Sequence, residues 1–286
     1  KEVQALMEKL EPAEDFYRVE KKTRKTKNDG AWMNFPSVSL FSSTANADLT
    51  KFFKRMGCEA STNAYSITGS TPLVDSLLSV RYALYSEYIP NTDLVNYIQE
   101  SGGTYLYENL YTLPLGFVLP YDLADNWQYQ MENPAEVQND LCLLLGTDDV
   151  LVPVETEVSG SGCTFTADMA GEYYVYIQNK KVKNVKASLP SGEKNFSNVD
   201  RGYLLEMGNL SEGSRITLTP GESGETLTAA VYRFSPRAMI QVYDRLSQSP
   251  LHLDDWRDTK LTGTVTAAES GTLFLSIPYD EGWTIT

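Results

Sequence analysis

The stretch 165-FTADMAGEYYVYI-177 decides the fold. Apolar residues recur at alternate positions on both sides of Gly171, the period of strands that turn one face inward. The same period begins near residue 147 and continues through 150-VLVPVETEVS-159, 163-CTFTADM-169 and 172-EYYVYIQ-178. It persists in 182-VKNVKASLP-190, 203-YLLEMG-208, 214-SRITLTP-220 and 226-TLTAAVYRF-234. Short strands at intervals of roughly ten residues, separated by Gly, Asn, Ser and Pro, predict an antiparallel β-sandwich of jelly-roll-like form.

A hundred residues further on, 265-VTAAESGTLFLSI-277 has the same outline. Thr166/Thr266, Ala167/Ala267, Gly171/Gly271 and Ile177/Ile277 are identical. Phe165/Val265, Tyr173/Leu273 and Val175/Leu275 keep an apolar residue at alternate positions. Chance is one account, because alternating strands around a Gly turn resemble each other. Internal duplication of a β unit is the other. At least three strand patterns follow Ile177, and none follows Ile277. Residues 261–286 therefore read as the front half of a sheet, and the expectation is a piece of a longer protein. A start at Lys1 without an initiator Met points the same way.

Upstream of 147 the pattern is mixed α/β. Val3, Leu6, Met7 and Leu10 share a helical stripe, and 16-FYRVE-20 reads as a strand. Asn46 caps a helix that carries Leu49, Phe52, Phe53 and Met56 on one face and exits at Gly57. Thr71 and Pro72 open the next, which runs into the strand 81-RYALYS-86. Residues 93–100 predict a short helix, and 101–120 two strands around an irregular link. Asn133, Pro134 and Glu136 form a capping box closed by Gly146. Ser235 and Pro236 start a helix lined by Met239, Val242, Tyr243 and Leu246. The expected organisation is an α/β domain over 1–146 and a β-sandwich over 147–234. Residues 235–286 then form a connecting helix and the start of a second β unit, packed on the sandwich.

Composition narrows the function. The 286 residues carry a net charge of −14, which argues against nucleic acid as a partner. Hydrophobic content of 42% with 22% charged residues suits a folded chain. The apolar run 141-LCLLL-145 is far short of the ~20 residues of a membrane crossing. Cys58, Cys142 and Cys163 are too few and too scattered for a disulfide framework or zinc site, and read as buried thiols.

Six basic side chains fall in 18-RVEKKTRKTK-27: Arg18, Lys21, Lys22, Arg24, Lys25 and Lys27. Such a cluster can hold an anionic polymer or lie on anionic headgroups. It can equally be a solvated strand edge that discourages sheet-to-sheet pairing. Tyr107 and Asn109, ahead of Pro114 and Gly116, suit a structural lock at a strand end or a sugar contact. Trp127, with Tyr129, suits a core anchor or an aromatic platform for sugar rings, and Trp256 and Trp283 raise the same pair of readings. Asp75 sits near a helix N-terminus, where its charge is favoured.

Catalytic chemistry finds little support. Asp148/Asp149, Asp254/Asp255 and Asp280/Glu281 are sequence neighbours, poor geometry for an opposed acid and base. His252 is the only histidine and has no cysteine nearby; general base, metal ligand and ordinary hydrogen-bonded side chain are its three readings. Ser161 lies between glycines, but no helix pattern follows to make a nucleophile elbow. No residue is assigned to catalysis, to a metal or to a cofactor.

Several stretches together resemble the YfhO-type family of bacterial integral membrane proteins, which are themselves similar to GT-C glycosyltransferases. They are 28-ND-29, 42-SST-44, 69-GSTPLVDSLLSVRY-82, 107-YENLYTLPLGF-117 and 276-SIPYDEGW-283. The resemblance implies an extracytoplasmic domain, tethered through membrane helices of its own parent chain at the outer face of the cell membrane. Its implied role is to assist sugar transfer from a lipid-linked donor to a surface polymer such as teichoic acid. The family's presumed catalytic acid belongs to a membrane-loop region, and no residue here matches it. The domain itself is therefore expected to be non-catalytic. The alternative is a stand-alone carbohydrate-binding β-sandwich module.

Overall fold

The computed structural model describes residues 2–10, 15–257 and 259–286. It consists of an α/β segment followed by several antiparallel β-sheets. Helices form where a side chain can satisfy the orphan N–H groups of a first turn. Asn46 accepts from Asp48 and Leu49 at the start of α3 (Ala47–Arg55), and Thr71 from Val74 at α4 (Pro72–Leu77). Asn133 caps α6 (Pro134–Leu145), which ends on Gly146 at a φ of +68°. Ser235 caps α7 (Pro236–Leu246). The described residues also form three short α-helices, α1 (Glu2–Met7), α2 (Asp29–Met33) and α5 (Leu123–Asn126).

In the α/β segment, β1 (Arg18–Lys21) runs parallel to β5 (Val80–Tyr85). β5 pairs with β7 (Thr104–Asn109), and β7 with β6 (Val95–Ser101). The helix expected over 93–100 is thus β6. Gly102 and Gly103 both take positive φ, +57° and +78°, and make the two-residue hairpin turn that pairs Ser101 with Thr104. Pairing with β7 outweighs a weak local preference. A small sheet of β2 (Leu40–Phe41), β4 (Ala64–Tyr65) and β3 (Ala60–Ser61) was not legible as strands.

Beyond 146 the run 150–159 divides into β9 (Leu151–Val154) and β10 (Glu157–Ser159), which join different sheets. The five-stranded sheet has the order β10, β11 (Gly162–Thr166), β16 (Arg215–Pro220), β13 (Asn184–Leu189), β14 (Gly192–Ser197). The four-stranded one has β15 (Leu205–Leu210), β12 (Gly171–Ile177), β17 (Ala229–Phe234), β9. Every pairing in both is antiparallel.

Strand β12 faces two cores. Tyr173, Val175 and Ile177 enter a cluster with Phe165, Ile216 and Leu218 of the five-stranded sheet. Tyr174 and Tyr176 point the other way, into a cluster with Phe53, Leu73, Phe117, Leu141 and Met239 of the helical region. All five residues from Tyr173 to Ile177 are buried. A third, smaller cluster joins α1 to the N-terminal sheet through Leu6, Val19, Leu84 and Leu106.

The second β unit repeats a topological feature of the first. At Gly171 the chain leaves the five-stranded sheet and enters the four-stranded one. At Gly271 it leaves the hairpin of β18 (Leu251–Arg257) and β19 (Lys260–Val265), and β20 (Gly271–Leu275) enters another sheet by pairing with β8 (Gly116–Pro120). Burial differs sharply. Phe165 and Tyr173 are 2% and 0% exposed, whereas their counterparts Val265 and Leu273 are 38% and 39% exposed. The second unit is held on β8 of the α/β segment, where Phe274 packs on Phe117 with ring centroids 5.0 Å apart.

Ile177→Ala should cost about 2–5 kcal/mol, the range for emptying a packed core site. Leu273→Ala should cost less than about 1 kcal/mol, as at an exposed position. Urea unfolding of the two variants measures both, and equal losses would contradict this division of the core.

Candidate functional site

The segment 18–29 forms the centre of a dense polar network. Glu20 is 1% exposed, and its carboxylate accepts from Ser37 Oγ at 2.7 Å, Val38 N at 2.6 Å, and Ser39 N and Oγ, both at 2.9 Å. Burial nonetheless raises its pKa. Asp29 accepts from the backbone N–H groups of Lys25 and Thr26 and from Thr26 Oγ1. Burial works against its charged form, but these bonds prevail and lower its pKa. Asn28 clips the neighbouring strand by giving its amide to Phe41 O and accepting from Phe41 N.

Most of the six basic side chains are turned onto intramolecular partners. Arg18 donates to Leu78 O at 2.6 Å and to Ser276 O at 2.6 Å, and its guanidinium covers the Phe16 ring. Arg24 donates to Thr68 Oγ1 and shares Glu59 with Lys27, whose ammonium is 3.1 Å from that carboxylate. Lys21 makes a loose 3.8 Å ion pair with Asp29. Lys25 is exposed and makes no ion pair among the described residues.

Lys22 occupies a seam between the α/β segment and the four-stranded sheet. Its Nζ lies 2.9 Å from Asp75 Oδ2 and 3.3 Å from Ser70 Oγ. Glu206 closes the seam by accepting from Gly69 N at 2.9 Å, and Tyr174 donates to Glu172 at 3.0 Å. Gly69 has a φ of +83°, and a Cβ there would lie 2.4 Å from Gly57 O, so three backbone segments meet where only glycine fits. Burial raises the pKa of Glu172 and of Glu206, and Lys22 opposes both shifts. For Lys22, burial disfavours the charged form, but Asp75, Tyr85 and Glu206 outweigh it and raise its pKa. Tyr85, Tyr174 and Cys58 in the same seam are pushed upward by burial. Cys58, Cys142 and Cys163 are all free and buried.

Four of the other residues singled out in the sequence, Tyr107, Asn109, Trp127 and Asp75, are held by protein groups, whereas Trp256 and Trp283 stay 37% and 40% exposed. Tyr107 is 0% exposed, and its hydroxyl donates to Ile89 O at 2.9 Å and accepts from Ile89 N at 2.7 Å. Asn109 Nδ2 donates to Val80 O at 2.7 Å. Trp127 donates from Nε1 to Val137 O at 2.8 Å and packs on the helical core. Asp75 is held by Lys22.

Two clefts open on the surface. One, of about 340 Å³, lies where the 107–117 motif meets α7 and the start of β18. Asn109, Tyr243, His252 and the Arg81–Glu108 ion pair, 2.8 Å, bound it. The other, of about 330 Å³, lies beside α1 and α2 and is bounded by Lys21, Lys25 and Trp32. Tyr243 was legible in the sequence only as a core residue of α7, and Trp32 gave no signal at all, because neither sits in a chemical motif. No group of three or more His, Cys, Asp or Glu among the described residues could hold a metal ion. No helix among them is long and apolar enough to cross a membrane.

Fold and site together define an α/β-plus-antiparallel-β module whose polar motifs hold backbone in place. The family model for the bacterial membrane protein YfhO matches residues 1–156 and 155–286, and the chain belongs to that family. No curated protein and no solved structure matches it.

Lys22→Met should destabilise the protein by about 3–5 kcal/mol near pH 8, because it strands carboxylates in a buried seam. The raised Lys22 pKa supplies stability that is present below about 10.5, the unfolded value, and is lost at higher pH. The raised pKa values of Glu172 and Glu206 mean that the folded state keeps protons longer than the unfolded one as pH rises above about 4.5. The cost of Lys22→Met should therefore shrink near pH 5. Chemical unfolding at the two pH values tests this; an equal cost at both would exclude the electrostatic role.

Proposed function

We propose that this chain is a non-catalytic extracytoplasmic domain of a polytopic, glycosyltransferase-like membrane protein. It assists the transfer of sugar from a lipid-linked donor to a cell-surface polymer of the teichoic acid kind. The observation that carries this reading is membership of the bacterial membrane protein YfhO family along the length of the chain. On this reading the domain sits on the outer face of the bacterial cell membrane, tethered through membrane helices of its parent chain. Its partners are that membrane region and the anionic polymer or lipid-linked sugar.

The commitment of motif residues supports a non-catalytic role. Asn28, Asn109 and Ser276 are engaged in bonds that tie one chain segment to another, and Asp29 holds its own loop. The cleft beside Asn109 combines a half-buried Tyr243, a histidine and a charged pair, a mixture suited to sugar hydroxyls. It is the surface assigned to acceptor or donor. The two large sheets, sharing one apolar cluster, read as a jelly-roll-like sandwich over 147–234, between an α/β domain over 1–146 and a second β unit over 235–286.

A stand-alone carbohydrate-binding module has less support. It calls for a row of exposed Trp or Tyr on a sandwich face. Among the described residues, the large exposed apolar side chains of 147–234 are Val158 and Met169.

In cells carrying the full-length protein, Tyr243→Ala should lower the sugar content of the surface polymer at least tenfold, given the several-kcal/mol share that a buried aromatic contact takes in binding. Protein abundance in the membrane should be unchanged. Mass analysis of isolated polymer reads the effect, and a sugar content unaffected even by deletion of the whole domain would refute the proposed role.

A further inference from the structure

We infer that the cleft beside α2 is a binding site for an anionic saccharide, with a sugar ring stacked on Trp32 and its charged substituent met by Lys25. The inference deepens the polymer-binding part of the proposed function, but it rests on geometry that the family match does not supply.

Trp32 is 85% exposed, the most exposed of the large aromatic side chains among the described residues. An indole left in water at this level forgoes burial worth several kcal/mol, so its surface is available to a ligand face. It stands at the wall of a concave site of about 330 Å³, a volume on the scale of a sugar residue or two. A concave wall suits a ring better than a flat lipid surface does.

The cations beside it differ from the others of 18–27. Arg18, Lys22, Arg24 and Lys27 are drawn onto protein partners. Lys25 is not, and it is exposed. Lys21 is only loosely held, because the Asp29 carboxylate already accepts three closer hydrogen bonds than its 3.8 Å contact with Lys21. Glu2 and Gln4, which also line the cleft, bring an acceptor and an amide for hydroxyl groups. The Glu2 charge sets a limit on how many anionic groups the cleft accepts, and favours one substituent per ring over a densely charged chain.

The test uses this chain with dextran bearing phosphate esters, plain dextran, and vesicles of phosphatidylglycerol. Indole fluorescence or calorimetry reads binding to the dextrans, and co-sedimentation reads binding to vesicles. Phosphate-bearing dextran should bind the unaltered chain at least fivefold more tightly than plain dextran. Trp32→Ala should weaken that binding at least tenfold, in keeping with stacking plus area burial. Lys25→Glu should weaken it at least fivefold, as expected for a cation near an anionic partner. Because Trp32 lies in solvent, its replacement should leave the thermal midpoint unchanged, which separates lost binding from lost folding. Equal binding by Trp32→Ala and the unaltered chain would overturn the inference. So would equal affinity for the two dextrans, or Trp32-dependent capture by vesicles without any by phosphate-bearing dextran. None of these outcomes reads polymer glycosylation in cells, so failure here and failure of the proposed function are distinguishable.

Discussion

Both faces of β12 are buried, and the rest of the architecture depends on that constraint. Strand residues alternate in direction, so a single segment can present one apolar set to one core and another set to a second. Tyr173, Val175 and Ile177 serve the space between the two large sheets, while Tyr174 and Tyr176 serve the helical region. A one-residue slip in register would exchange the two sets and mismatch both cores at once. The strand therefore couples the α/β segment to the β-rich part more tightly than a linker would.

The seam that runs along this junction is polar, and its chemistry follows from where it lies. Lys22 and Asp75 come from the α/β segment, Glu172 and Glu206 from β12 and β15 of the four-stranded sheet. Charges at a buried boundary contribute little net stability when complete, yet removing one member leaves its partners without compensation. Gly69 brings three backbones into contact at the same place. Such a boundary specifies one relative arrangement of the two parts and penalises others.

The family motifs make sense in these terms. Asn28, Thr71, Asn109 and Ser276 each satisfy backbone or side-chain groups of another segment, and Asp29 those of its own loop. Residues that look chemically active in a sequence can be recruited to close a fold, because a buried polar backbone left unpaired is expensive. The two clefts are bounded instead by less conspicuous residues, Tyr243 in one and Trp32 in the other.

The sequence alone determined the caps of the four well-signed helices and the two-residue period beyond 147, and its composition favoured buried free thiols for the three cysteines. Each is a local matter, decided by first-turn donors, side-chain alternation or composition. The strand at 95–101 escaped a reading of 93–100 by itself, because it is set by pairing with β7 across the Gly102–Gly103 turn that follows it. Only tertiary structure decided the inward turn of the basic segment: an ammonium in 18-RVEKKTRKTK-27 is free or spent according to whether Asp29, Glu59 or Asp75 has been brought within reach. The two clefts, too, join residues more than a hundred positions apart or separated by whole strands. Proximity of that kind is produced by the packing of cores, and hydrophobic burial has no preference for the order in which the chain supplies its parts.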